Sequence, residues 1–209
     1  MLLKIPFYKN IGNRCVQTSM RSVIKHFLKK EYSLRKLDKL TGRKADCWTW
    51  HCQMNYVLYE LGLKVRTFGK TDLKPYLGGA EFIRKNHPKE KAEKMIEMMD
   101  FKTVKKAIRK VMSYRTFTNK ILKFSDLENY LKKGNVPLMS IDVNYFKGKK
   151  IYHGHMVILT GFTKKYIYCH DPGPKNPTPN KKVLKKRFIG AWKRADNRVT
   201  IVYGKRKCF

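Results

Sequence analysis

The sequence predicts an α+β domain with helices first and strands second, and three observations carry that expectation. Up to about residue 135, apolar residues recur at the three- and four-residue spacing of helices. After Pro137 they alternate or run together in short stretches bounded by turn residues. The length, 209 residues, suits one compact domain, and 42% hydrophobic with 12% aromatic residues gives it a core, which excludes a disordered basic tail. We therefore expect one domain over residues 1–209, with a helical lobe over about 1–135 packed on an antiparallel β lobe over about 136–209.

Each element has its own reason. From Cys15 to Lys30, Val16, Met20, Val23, Ile24, Phe27 and Leu28 fall on one helical face, and Gly12 and Asn13 mark the loop before it. Tyr32–Leu40 reads as a second helix stopped at Gly42, and Thr49–Leu61 as a third closed by Gly62. Leu63–Phe68 alternates and reads as a strand. Residues 70–123 are the least legible; Glu90–Met99 and Thr103–Met112 read as helices broken near Asp100. Asp126–Lys133 is expected as a helix capped by Ser125 and ended by Gly134. Leu138–Val143, His155–Gly161 and Tyr166–His170 read as strands, and the proline-rich run from Asp171 to Pro179 as a rigid loop. Lys182–Trp192 reads as a helix and Arg198–Tyr203 as a last strand.

Charge narrows the partners. Against 15 Asp and Glu stand 48 Lys and Arg, a formal net charge of +33, which implies attraction to polyanions. The excess lies within the folded region: Arg84–Lys123 holds 13 basic residues and four acidic ones, and Lys175–Lys207 holds 12 against Asp196. No RNA-recognition, KH, zinc-finger or helix-turn-helix pattern accompanies it, so nucleic-acid contact is expected only as non-specific. The N-terminus lacks the apolar core of a signal peptide, and no apolar run is long enough to span a bilayer. Five cysteines at irregular spacing argue for reduced thiols, and a cytoplasmic location is the expectation.

A cysteine at a helix N-terminus is placed where free N–H groups and the helix dipole favour its thiolate. Cys15 stands there, with His155 about 140 positions downstream, inside the window of about 130–150 for papain-like Cys–His pairs. Asp171 ends the next strand and can hold the second nitrogen of His155, for which Nδ1–H is the expected donor. His153 and Asp142 are the weaker alternatives for these two places. Cys47, His51 and Cys52, with Cys169 and His170, are zinc-ligand residue types, but Cys-x3-His-Cys lacks the paired C-x2-C of zinc sites, so no metal is expected. Trp48 and Trp50 suit core packing or the lining of a cleft.

The segments NIGNRCVQTSMRSVIKHF, HGHMVILTGF and YIYCHDPGP occur in the order, and with the residue types, of the peptidase C39-like family of papain-fold cysteine peptidases, which this sequence resembles. YSLRKLDKLTGRKADCWTW, LYELGLKV and FIGAW add to the likeness, which is weakest over residues 70–123. The resemblance implies a papain-like fold and a thiol hydrolase that cleaves a peptide, isopeptide or related amide bond without a cofactor. It implies Cys15 as nucleophile, His155 as base and acid, Asp171 as orienter, and Asn10 with the Cys15 N–H as oxyanion donors. Two positions depart from the family: Val16 stands where Gly is usual, and Asn10 is shorter than Gln. Both narrow the oxyanion site, so the alternative is an impaired domain that binds nucleic acid or an acidic partner.

Overall fold

The computed structural model describes residues 1–206, so Cys208 lies outside the described residues. Along the chain run α1 (Cys15–Leu28), α2 (Leu34–Thr41), α3 (His51–Glu60), β1 (Leu63–Gly69), α4 (Ala80–Asn86), α5 (Lys89–Glu97) and α6 (Phe101–Ser113). They are followed by β2 (Phe117–Asn119), α7 (Phe124–Lys132), β3 (Val136–Asp142), β4 (Gly154–Phe162), β5 (Tyr166–Asp171), β6 (Thr178–Leu184), α8 (Lys185–Arg194) and β7 (Val199–Lys205).

The strands form one sheet in the order β2-β1-β7-β3-β4-β5-β6. Every pairing is antiparallel except β1 with β2, which is parallel and corrects the all-antiparallel expectation. Strands β1 and β2 precede residue 135 and α8 follows it, so the sheet draws on both parts of the chain. Helices cover both faces. Met20, Val23 and Ile24 of α1, Met54 and Leu58 of α3 and Ile108 of α6 pack with Val136, Leu138, Met156 and Ile158 in one core. Leu127 and Leu131 of α7 and Phe188 and Trp192 of α8 pack with Met139, Ile141, Val157, Leu159 and Ile201 in the other. Successive strand residues thus serve opposite cores, as the two-residue period of a strand requires.

Helix α4 and strand β2 have no counterpart in the sequence reading, and two anticipated elements differ from it. Residues 178–184 form β6 on the sheet edge, where the sequence suggested a proline loop running into a helix. Pro179 fits there because an edge strand has ladder positions whose N–H faces solvent, and α8 begins only at Lys185. At α7 the Ser125 cap is replaced: the helix starts at Phe124, and Asp126 Oδ2 accepts from the Lys123 N–H (2.8 Å).

The first ten residues are tied to the strands that carry the chemistry. Leu3 N–H donates to Thr160 O (2.7 Å), His170 Nε2 donates to Ile5 O (2.9 Å), and Asn10 N–H donates to Pro172 O (2.9 Å). Leu2 pairs with Gly161, where a Cβ would run into the Met1 carbonyl oxygen and the Leu2 backbone. Glycine is therefore required at 161 for the N-terminal segment to cross β4. This crossing delivers the start of α1 to the ends of β4 and β5.

Candidate active site

Cys15 is the first residue of α1, and Thr18 is the first whose N–H reaches back, to Arg14 O (2.8 Å). The N–H groups of Cys15, Val16 and Gln17 therefore stay at the open, electropositive helix end. Opposite it, β4 and β5 are antiparallel neighbours, and His155 near the start of one meets Asp171 at the end of the other. His155 Nε2 lies 2.8 Å from Asp171 Oδ1. The two groups shift each other's pKa, which puts the Cys15 thiol beside the imidazole, and with Nε2 taken by Asp171 the nitrogen left to face it is Nδ1. The nitrogens are thus exchanged relative to the sequence expectation: Asp171 holds Nε2 because it approaches from the far edge of the ring.

Burial opposes charge on all three groups, and their mutual contacts overcome it. Burial disfavours the Cys15 thiolate, but the hydrogen bond and charge of His155, with the backbone at Met156 and Val16, bring the thiol below its ordinary value. Burial likewise disfavours the imidazolium, yet bonds to Asp171 and Cys15 push His155 up to about 9. For Asp171 the His155 contact, with Lys181, outweighs burial and holds the carboxyl well below the usual carboxylate range. Lys181 Nζ sits 2.7 Å from Asp171 Oδ2, so both oxygens are engaged. Lys181 has no legible role in the sequence because nothing in the periodicity of its segment marks it as a strand beside β5.

Asn10 is buried and lines the cleft with Cys15, Val16 and His155. Its Oδ1 accepts from the Arg14 N–H (3.1 Å) and its Nδ2 donates to Gly12 O (2.7 Å), which leaves one amide hydrogen without a partner among the described residues. The cleft has a volume of about 100 Å³ and is walled by Trp48, Trp50 and Tyr152. Trp48 packs against Tyr152 (6.0 Å) and His153 (6.2 Å), so both tryptophans are cleft residues as well as packing residues.

The rival candidates have other partners. Asp142 is fully buried: its Oδ1 accepts from the N–H groups of Asn144 and His153 and its Oδ2 meets Arg194 (3.0 Å). His153 precedes β4 and is exposed. His51 contacts Thr200 and Ser140, while His170 holds Ile5 O and accepts from the Asn180 N–H. No three His, Cys, Asp or Glu side chains group as a metal site among the described residues. No described helix is long and apolar enough to cross a membrane.

The sequence profile of the Peptidase_C39 like family matches residues 2–200. The chain belongs to this family. A structure described as a C39-like peptidase from Bacillus anthracis superposes with a TM-score of 0.60 at 12% identity, over 99% of this chain and 98% of that one. The peptidase domain of Streptococcus ComA, a bifunctional ABC transporter of a quorum-sensing pathway, gives 0.51 at 16% identity, over 97% and 98%. A double-glycine-motif protease from an AMS/PCAT transporter, solved with its leader peptide, gives 0.51 at 13%, over 96% and 93%. No protein of curated function matches the sequence. By family and fold the chain is a C39-like cysteine peptidase of the papain-like α+β class.

Proposed function

We propose that Cys15, His155 and Asp171 act as a catalytic triad that hydrolyses a peptide or related amide bond in a peptide substrate. The observation that carries this reading is that His155, held by Asp171 Oδ1 (2.8 Å), shares the cleft with Cys15 and lowers the pKa of its thiol below the ordinary value. The Cys15 thiolate attacks the carbonyl carbon, and the oxyanion is received by the Cys15 N–H and the free amide hydrogen of Asn10. His155 gives its proton to the leaving amine as the C–N bond breaks, leaving a thioester. It then takes a proton from water, whose oxygen attacks the thioester to release the acid and restore the thiolate–imidazolium pair. Asp171 fixes the ring orientation throughout, steadied by Lys181. Val16 is buried against the core and also lines the cleft, beside Cys15.

A groove of about 910 Å³ lined by His155 and Asp171 has the volume to take several residues of a peptide. Lys147, Lys175, Lys181, Lys182 and Arg187 line it against Asp171, so it favours acidic sequences. The same cations support a second reading, salt-sensitive binding of polyanions without hydrolysis.

Incubation with a mixed peptide library and mass-spectrometric mapping of new termini tests the first reading. Cys15→Ala should lower cleavage by at least ~10³-fold. Absence of any Cys15-dependent cleavage, with RNA binding unchanged in Cys15→Ala, would establish the second.

A further inference from the structure

A chain of buried polar groups that the triad does not use runs across the sheet and ends in the cleft. Thr116 Oγ1 donates to Asn55 Oδ1 (2.6 Å), and Asn55 Nδ2 donates to Thr67 Oγ1 (2.7 Å) and Thr116 O (3.1 Å). Thr67 Oγ1 meets Thr200 Oγ1 (2.7 Å), Thr200 Oγ1 meets His51 Nδ1 (3.0 Å), and His51 Nε2 meets Ser140 Oγ (2.6 Å). Thr67, Thr200 and Asn55 are almost wholly buried, so every hydrogen needs a partner.

That requirement fixes the direction. The Thr116 carbonyl can only accept, which sets the Asn55 amide with its nitrogen towards Thr67. Thr67 Oγ1 accepts from Asn55, so its own hydrogen goes to Thr200. Thr200 then donates to His51 Nδ1, and His51 carries its proton on Nε2 and donates to Ser140. Burial and the charge of Arg198 push His51 down to about 3, so the ring stays neutral. The Ser140 hydroxyl hydrogen is left over, and of the four hydroxyls in this hydrogen-bonded series only that of Ser140 belongs to a partly exposed residue.

Ser140 stands, with Trp50, His51 and Tyr152, on the wall between the cleft and a second cavity of about 60 Å³ behind it. One water-sized probe occupies about 10–15 Å³, so the space suits the roughly four or five heavy atoms of an Asp, Asn, Glu or Gln side chain. Its walls are largely apolar, among them Met95 and Met99, and Arg198, Lys91 and Asp196 line it too. Arg198 donates to Thr71 O (3.2 Å) and has no carboxylate within ion-pair distance among the described residues, whereas Asp196 is taken by Lys91 (2.8 Å). The cavity therefore has one unbalanced positive charge and one directed hydroxyl donor.

We propose that this cavity is a substrate subsite for a side chain ending in a carboxylate or carboxamide oxygen, which accepts from Ser140 at the mouth and from Arg198 inside. The proposal rests on the triad reading for its place beside the cleavage point, but binding there does not require Cys15 to react.

The test measures binding of acetylated tripeptide amides to the Cys15→Ala chain by fluorescence anisotropy, with Glu, Gln, Leu or Lys at each position in turn. At one position Glu and Gln should bind about tenfold more tightly than Leu or Lys. The preference should persist at high salt, where attraction by the basic groove is screened. Glu above Gln assigns the carboxylate, and equality of the two assigns the carboxamide oxygen as sufficient. Ser140→Ala should abolish the preference, and Thr200→Val should weaken it with rescue by Thr200→Ser. Nitrogen NMR should find the His51 proton on Nε2. Equal affinities at every position, a preference that survives both Ser140→Ala and Arg198→Met, or a proton on Nδ1 would overturn the inference. Failure of the triad reading is seen separately, as absence of Cys15-dependent cleavage by the unmodified chain.

Discussion

Two cysteine–histidine pairs lie close together, Cys15 and His155 on the cleft and His51 on its wall with Cys52 on the cavity behind, and they end in opposite chemistry. Cys15 and His155 meet across α1 and β4, and Cys52 follows His51 at the start of α3. Burial is the largest influence on all four groups and opposes charge on each. Around His155 a carboxylate reverses it: Asp171 supports the imidazolium, which supports the thiolate. Around His51 the partners are two hydroxyls, with the Arg198 cation nearby. The ring is driven down to about 3 and the Cys52 thiol is pushed up to about 12. Burial alone makes an inert thiol, and a single well-placed carboxylate makes a reactive one.

The thiols give the largest expected contrast. Cys52 and Cys169 are both pushed up to about 12 from an ordinary 9.0, while Cys15 lies below that value. Three pH units or more of separation correspond to at least ~10³-fold in thiolate fraction at neutral pH. Peptide mapping after limited iodoacetamide should find Cys15 modified first and Cys52 and Cys169 last. Equal labelling of Cys52 would break the comparison.

Removing the carboxylate should make the first neighbourhood behave like the second. Asp171→Ala should cost roughly 10²-fold in turnover per folded molecule, and Asp171→Asn less, because an amide oxygen still accepts from Nε2–H. In the unaltered protein His155 is raised from 6.5 to about 9, so the imidazolium that protonates the leaving amine is lost as pH rises through about 9. The stability linked to it has the same sign: present in full below 6.5 and lost through about 9. For Asp171, whose folded pKa is depressed, the linked stability is present above the usual carboxylate range and is lost as pH falls below it. Asp171→Ala should therefore move the alkaline limb of turnover to lower pH, as a pH–rate profile would record. An unmoved limb would mean that another group sets it.

Lys181→Met gives the smallest expected change. Its side chain is 45% exposed at the sheet edge, so the ion pair is screened by water. Loss of this contact should reduce turnover only a few-fold and move the His155 limb slightly. A loss as large as that of Asp171→Ala would make Lys181 the main support of the carboxylate.

Local pattern made much of the molecule legible. Helix α1 followed from its apolar stripe, the end of α2 from Gly42, whose φ of 66° suits a residue without a side chain, and β4 and β5 from short apolar runs. The family motifs picked out Cys15, His155, Asp171 and Asn10; the structure puts Asn10, Cys15 and His155 on one cleft, with Asp171 bonded to His155. What the sequence by itself determined were the elements whose period or cap is local, and the residue types able to activate a thiol. Tertiary structure alone decided which nitrogen of His155 meets Asp171, because that depends on the side from which β5 approaches the ring. It decided that residues 178–184 are an edge strand bringing Lys181 to Asp171, since strand pairing is long-range and leaves no period in so charged a segment. It also decided that His51, placed beside two cysteines in the sequence, is held by Ser140 and Thr200, which lie 89 and 149 positions away and are brought close only by the sheet order.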